Sequence, residues 1–450
     1  MTSPTKRGID ELLGAAVSHV QPAPGRETWD YGWSLPDYRR SARAAIESPN
    51  GPVTIVGAGL QAWEEAVGLL LKEPGISARW APDEFWGTLA GMTAAAASAE
   101  NPDQFISAAL VKLRKAKPSL MVTLIANVAW DTPPNSIGDA IVGNADARFF
   151  KLISESARKR PKLSDDQTDQ WLTEQVLPRF EQPNEAPPVA LATWSAGQGE
   201  LAFTDAERKL RNITDLTLLL EKDLNAHAVY RRGSTNRPGV RGLTLDRGAI
   251  ERSLTGTSQL ELAARPLFLS GTFGARGHTR WYGSEPFPLG PLLEQSYLLA
   301  GVESCLRDDP ISNRIKVAAR WFAEAHYSNA DDDSALALGV ATDALLTGQR
   351  ALPGSAMADR YALLAREPER RRDLVSDYLM FYGVRSSVAH GGKSSKLDDG
   401  DFLARYSAAV QWAAWRLIDV RDTFSPASEK DLDSVFDDLR WGVRIWSRAS

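Results

Sequence analysis

The feature that most constrains this chain is a change of hydrophobic period at one place. Before the stretch GSEPFPLGP (283 to 291), short runs rich in β-branched residues alternate with helical segments. After it, from Leu292 onward, no convincing strand remains, and several of seven successive segments repeat apolar residues at three and four spacing. Period two reads as strand and period 3.6 as helix. A mixed α/β or α+β N-terminal region (1 to 285) followed by an all-α helical bundle (288 to 450) is the expected multidomain architecture.

In the first region the predicted strands are VTIVG (53 to 57), SLMVTLIANVAW (119 to 130), VALATWSA (189 to 196) and QLELAARPLFLS (259 to 270). The predicted helices start at or just after caps and prolines and cover 60 to 73, 83 to 100, 102 to 116 and 164 to 180. The 450 residues exceed the size at which one core stops growing, which also favours more than one domain.

Charge and cysteine content narrow the function classes. Fifty-seven acidic against fifty-two basic residues give a formal charge of -5, so any nucleic-acid contact must be local rather than a product of the overall field. A single cysteine, Cys305, can form neither an intramolecular disulfide nor a thiolate zinc site, which points to a reducing compartment, the cytoplasm. No segment reaches about 18 uninterrupted apolar residues, so no membrane span is expected. His19, His227, His278 and His326 show no paired metal spacing, and no metal or cofactor is expected.

The stretch with most chemical content is MFYGVRSSVAHGG (380 to 392). Ser386 and Ser387 precede His390 by four and three, the spacings of helix neighbours, while Tyr382 and Phe381 precede Arg385 by three and four. Gly391 and Gly392 supply the helix stop. A guanidinium forks onto phosphate and an imidazole exchanges protons near neutrality, so together they can cleave RNA without metal. A plainer reading is that an arginine and a histidine near a helix C-terminus favour the macrodipole.

The segment RSSVAHGG, with YG just before it and NRIKVAARWFAEAHYSNADDDSALALGVATDALLTG upstream, resembles an HEPN domain of the Apea-like type. The similarity spans roughly residues 290 to 425, and Arg385, Ser386 and His390 match the family's arginine, polar residue and histidine. Asp343 falls where that family often has a glutamate. The resemblance implies a helical bundle and a metal-independent endoribonuclease of bacterial defence or toxin type. Arg385 would hold the scissile phosphate, His390 would act as acid or base, Ser386 would orient the imidazole or the phosphate, and Asp343 would support Arg385, beside Tyr382, which the helix spacing packs along the same stem. It also implies an RNA substrate, a homodimer through the helical domain, and restraint by the N-terminal region until a phage-derived or nucleotide trigger arrives. The alternative is a non-catalytic HEPN-like adaptor that binds RNA, a nucleotide or a partner protein.

Other constellations are weaker. Gly57-x-Gly59-x-x-Ala62 after a strand imitates a dinucleotide fingerprint, but Asp83 and Glu84 come late, so a tight strand-to-helix turn is favoured. Residues 227 to 252 hold six arginines, of which Arg231, Arg232, Arg237 and Arg241 are candidates for RNA or phosphate contact. FGARGHTRWYG (273 to 283) mixes charge with stacking surface. NADDDSA (329 to 335) reads as a helix start with an acidic first turn, and Arg370, Arg371 and Arg372 as the solvated start of the motif helix.

Overall fold

A computed structural model describes residues 4–22, 53–114, 119–159, 187–197, 199–221, 237–247, 286–328, 330–347, 352–399 and 401–446. Among these lie α1 (Pro4–Val17), α2 (Gly57–Leu70), α3 (Pro74–Ser77), α4 (Pro82–Ala97) and α5 (Pro102–Arg114). These form a helical layer with its own core, because each carries one apolar stripe. Ile9, Leu13, Ala16 and Val17 on α1, and Trp63, Ala66, Val67 and Leu70 on α2, are buried at three and four spacing. Arg114 closes the layer with two hydrogen bonds to Glu73, at 2.8 and 2.7 Å.

The strand predicted at 53 to 57 is the short β2 (Val53–Ile55), paired antiparallel with β1 (Val20–Pro22). Among the described residues no parallel βαβ unit surrounds the glycines that follow. Gly57 sits at φ +55°, and a Cβ on Gly59 would lie 2.3 Å from that of His19. Both glycines thus serve the turn and a close packing contact, as the tight-turn reading requires.

Five strands make the second layer: β3 (Ser119–Ala126), β4 (Asn135–Ile137), β5 (Ala140–Asn144), β6 (Val189–Ser195) and β7 (Gly239–Arg247). Their order is β4-β5-β6-β3-β7 and every pairing is antiparallel, which makes this region α+β. β3 stops earlier than predicted because Asn127 takes φ 60°. Alternation sorts the side chains cleanly. Leu120, Val122, Ala190, Ala192, Trp194 and Ile141 face α6 (Ala147–Arg158), while Met121, Leu191, Ala140 and Val142 face the core shared with α7 (Gly199–Leu220). The predicted helix 164 to 180 and strand 259 to 270 lie outside the described residues.

The C-terminal region is helical: α8 (Leu289–Leu293), α9 (Ser296–Cys305), α10 (Pro310–Tyr327), α11 (Asp331–Leu346), α12 (Gly354–Leu363), α13 (Arg371–Ala389), α14 (Phe402–Phe424) and α15 (Glu429–Trp441). Capping follows the sequence: Asp309 accepts from the Ser312 amide before Pro310, Ser428 accepts from that of Asp431, and α11 opens on Asp331, Asp332 and Asp333. Arg314, almost fully buried, bonds through Nε to Glu429 at 3.0 Å and ties α10 to α15.

The apolar core does not stop at the predicted boundary near 285. One continuous cluster runs from Met121 through α7 to Trp446. Phe287, inside the proline-rich stretch, is fully buried and exchanges backbone hydrogen bonds of 2.8 Å with Asn127 and Ala129. At the end of α7, Trp415 donates to the Leu220 carbonyl at 3.0 Å and Gln411 to that of Glu221 at 2.6 Å. These side chains of α14 satisfy carbonyls that a helix end leaves open. The pattern change at 283 to 291 therefore does not mark where packing ceases.

Candidate functional site

α13 buries Leu374, Tyr378, Phe381 and Val384, and Arg385 follows Phe381 by four and Tyr378 by seven. That spacing turns Arg385 toward the bundle rather than toward open solvent. The facing helix, α11, is shaped to take it. A Cβ on Gly339 would lie 2.4 Å from the arginine Cδ and 2.5 Å from its Cγ, so only glycine lets the stem cross there. One turn on, Asp343 meets Arg385 Nη2 at 2.5 Å. Gly339 and Asp343 thus form a cradle at i and i+4 on one face.

Two aromatic contacts complete the cradle. The Tyr382 ring lies 5.9 Å from the guanidinium carbon and passes over Gly354, where an added Cβ would come within 2.9 Å of the ring. Tyr378 stacks on Tyr382 at 22° with centroids 6.3 Å apart, and Phe381 stacks on Tyr406 at 6° and 4.4 Å. Burial pushes the Asp343 carboxyl above its ordinary pKa, with Arg385 pulling the other way. Burial also raises the phenols of Tyr378 and Tyr406, so both stay neutral donors. Arg385 Nε is buried and has no hydrogen-bond partner among the described residues.

His390 occupies a different environment. Five residues beyond Arg385, it is rotated about 140° around the helix. It is the C-cap at φ -93° and ψ 14° and is exposed. The stop predicted from the glycines is present in full. Gly391 at φ +75° donates to Val388, and Gly392 donates to Ser387 at 2.9 Å, closing a Schellman motif that fixes the histidine backbone. Ser386 and Ser387 are half-buried, and the Ser386 carbonyl accepts from the His390 amide at 3.2 Å.

The structure therefore brings Arg385, Asp343 and Tyr382 together but leaves Arg385 and His390 on separate faces of one helix end. Aspartate, shorter than glutamate, still reaches the guanidinium because Gly339 lets the arginine stem lie close. Sequence reading missed Gly339 and Gly354. A lone glycine within the helical run ALALGV was the available signal, since such a glycine often marks a close approach.

Of the arginines at 227 to 252, Arg231 and Arg232 lie outside the described residues, as does the segment 273 to 283, and Arg241 lies on β7 with its side chain outside the described residues. Arg237 is described, and it is engaged within the protein. It bonds Asp215 at 3.0 Å and Glu324 at 2.5 Å and lies 5.7 Å from the Tyr327 ring centre. Two carboxylates thus hold the guanidinium that the sequence had offered to phosphate. Among the described residues no three His, Cys, Asp or Glu side chains converge as a metal site needs, and no helix is long and apolar enough to cross a membrane. No family model matches the chain, and no curated protein or solved structure matches it either.

Proposed function

We propose that the protein is an endoribonuclease that uses Arg385 and His390, in the manner its resemblance to the HEPN family implies. The ribose 2′ oxygen attacks the adjacent phosphorus and the bond to the 5′ oxygen breaks, leaving a 2′,3′-cyclic phosphate and a 5′-hydroxyl. A base removes the 2′ proton and an acid protonates the leaving 5′ oxygen; His390 serves one of these steps, and Arg385 neutralises charge on the phosphorane. Ser386 orients the pair.

The observation that carries this reading is the cradle. Asp343, Gly339 and Tyr382 hold one guanidinium in a fixed place, one turn from an imidazole left open to solvent. Because the two groups leave the helix about 140° apart, a competent cleft takes a second copy of the chain, and the N-terminal region restrains the assembly until a trigger binds. Incubation with total bacterial RNA in EDTA tests the reading. Cyclic phosphate ends that disappear in His390→Ala support it, and intact RNA with the activated dimer would sink it.

One observation favours a second reading, a non-catalytic adaptor: Arg385 already has Asp343 as its anionic partner. An adaptor binds RNA, a nucleotide or a protein without turnover and keeps that binding in His390→Ala.

A further inference from the structure

The opposite end of α13 holds a second constellation, about 28 Å from His390 at the helical rise of about 1.5 Å per residue. A cavity of about 220 Å³ opens there, lined by Arg371, Arg372 and Val375 of α13, Asp359 and Leu363 of α12, and Arg440 of α15. Three guanidiniums meet one carboxylate. Arg440 is 3.6 Å from Asp359 and 3.6 Å from Asp437, beyond ordinary hydrogen-bond reach, so neither contact saturates it. Arg371 and Arg372 have no carboxylate partner among the described residues, and Arg371 Nε is buried without any acceptor.

Such a set is incomplete as pure protein. A buried donor without an acceptor is unfavourable, and like charges around one hollow repel. Elsewhere on this surface the protein does supply counter-charge: Arg366 and Arg416 both pair with Asp419. In the cavity, the missing component is an anion. The guanidinium fork suits carboxylate and phosphate alike, and a phosphate group presents three acceptor oxygens to the three guanidiniums here. The volume falls below the roughly 300–1,000 Å³ of pockets that enclose a whole small molecule, so it admits a phosphoryl group and leaves the rest of the ligand outside. Trp441, next in sequence to Arg440 and 77% exposed, offers a ring of the kind on which bases stack.

We propose that this cavity binds the phosphate of a ribonucleotide, free or within an RNA chain, through Arg371, Arg372 and Arg440. The three arginines at the head of α13 are then not merely a solvated helix start. The proposal stands apart from the ribonuclease reading, since it needs neither Arg385 nor His390.

Calorimetry on the full chain at low salt tests it with three probes: inorganic phosphate, adenosine 5′-monophosphate and a ten-residue oligoribonucleotide. Either nucleotide probe should bind, and Arg372→Glu should weaken it at least tenfold while Arg372→Lys weakens it less. Arg372 is exposed, so these variants keep the fold, which an unchanged melting temperature verifies. Tighter binding of the monophosphate identifies a free nucleotide as the source; tighter, steeply salt-dependent binding of the oligomer identifies RNA. The proposal is overturned if neither nucleotide probe binds, if Arg372→Glu binds as the wild type does, or if inorganic phosphate binds as tightly as both. The oligomer carries 2′-O-methyl ribose, which has no free 2′ oxygen to attack the phosphorus, so the result is independent of ribonuclease activity.

Discussion

Arg237 and Arg385 present nearly the same inventory in two parts of the molecule, and they differ in one respect that decides what each can do. Each pairs with an aspartate, buried at Asp215 and half-buried at Asp343, and each guanidinium lies within 6 Å of a tyrosine ring centre. Arg237, however, has a second carboxylate in Glu324, and it joins the entry to β7 to both α7 and α10. Arg385 has one carboxylate, a glycine under its stem, and an exposed histidine one turn away. An arginine matched by two negative charges is a structural tie. An arginine matched by one retains donors for a further anion.

The most powerful way to sharpen this contrast is His390→Ala. The ribonuclease reading predicts a fall in cleavage of about a hundred- to ten-thousandfold, with the melting temperature unchanged because the side chain is exposed. Rates measured by cyclic phosphate formation check it. Arg237→Ala should do the reverse. It strips the buried Asp215 of its main counter-charge, which costs about 3–5 kcal/mol in comparable sites, and denaturant titration at pH 8 reads the loss. Equal stability in the variant would break the assignment of Arg237 as a tie.

Acidity refines the same point. Burial pushes Asp215 up to about 6 although Arg237 pulls it down, so desolvation outweighs the pair. The folded state then binds the proton more tightly than the unfolded chain between about pH 4 and pH 6. Stability from this group is complete at the acid side and is lost as pH rises through that window, by at most about 3 kcal/mol. Asp215→Asn should flatten that segment of the stability curve, and an unaltered slope would contradict the account. The smallest effect is expected from Gly339→Ala. Its methyl group displaces the Arg385 stem at a cost of about 1 kcal/mol, which should lower cleavage several-fold while leaving binding at the α12–α15 cavity untouched.

Element type was largely readable from the sequence, because period two and period 3.6 survive without any knowledge of tertiary contacts. The strands at 119 and 189, the glycine stop after His390 and the acidic start of α11 all follow from local rules. Extent was less readable. Asn127 ends β3 in a left-handed turn because Phe287 must reach it, and that partner is 160 positions away. The tyrosine was placed beside the arginine by its spacing and the aspartate by a resemblance, and the two glycines that let them meet were not named. A close approach depends on the facing surface, which a linear pattern does not display. Arg237 shows the same limit from the other side, since its carboxylates come from α7 and α10, far along the chain.

The carbonyls at the end of α7 are held by Gln411 and Trp415, from a helix nearly 200 positions later, and Leu216, Leu219 and Leu220 lie in the bundle's own core. A fragment beginning at 288 would start life with an open seam where that helix belongs. Its exposed strip of apolar side chains and unmatched tryptophan donor would make it sticky on its own and receptive to residues 199–221 offered as a separate peptide. Adding that peptide should therefore raise the soluble fraction of the fragment, and an equal soluble fraction before and after mixing would contradict the seam.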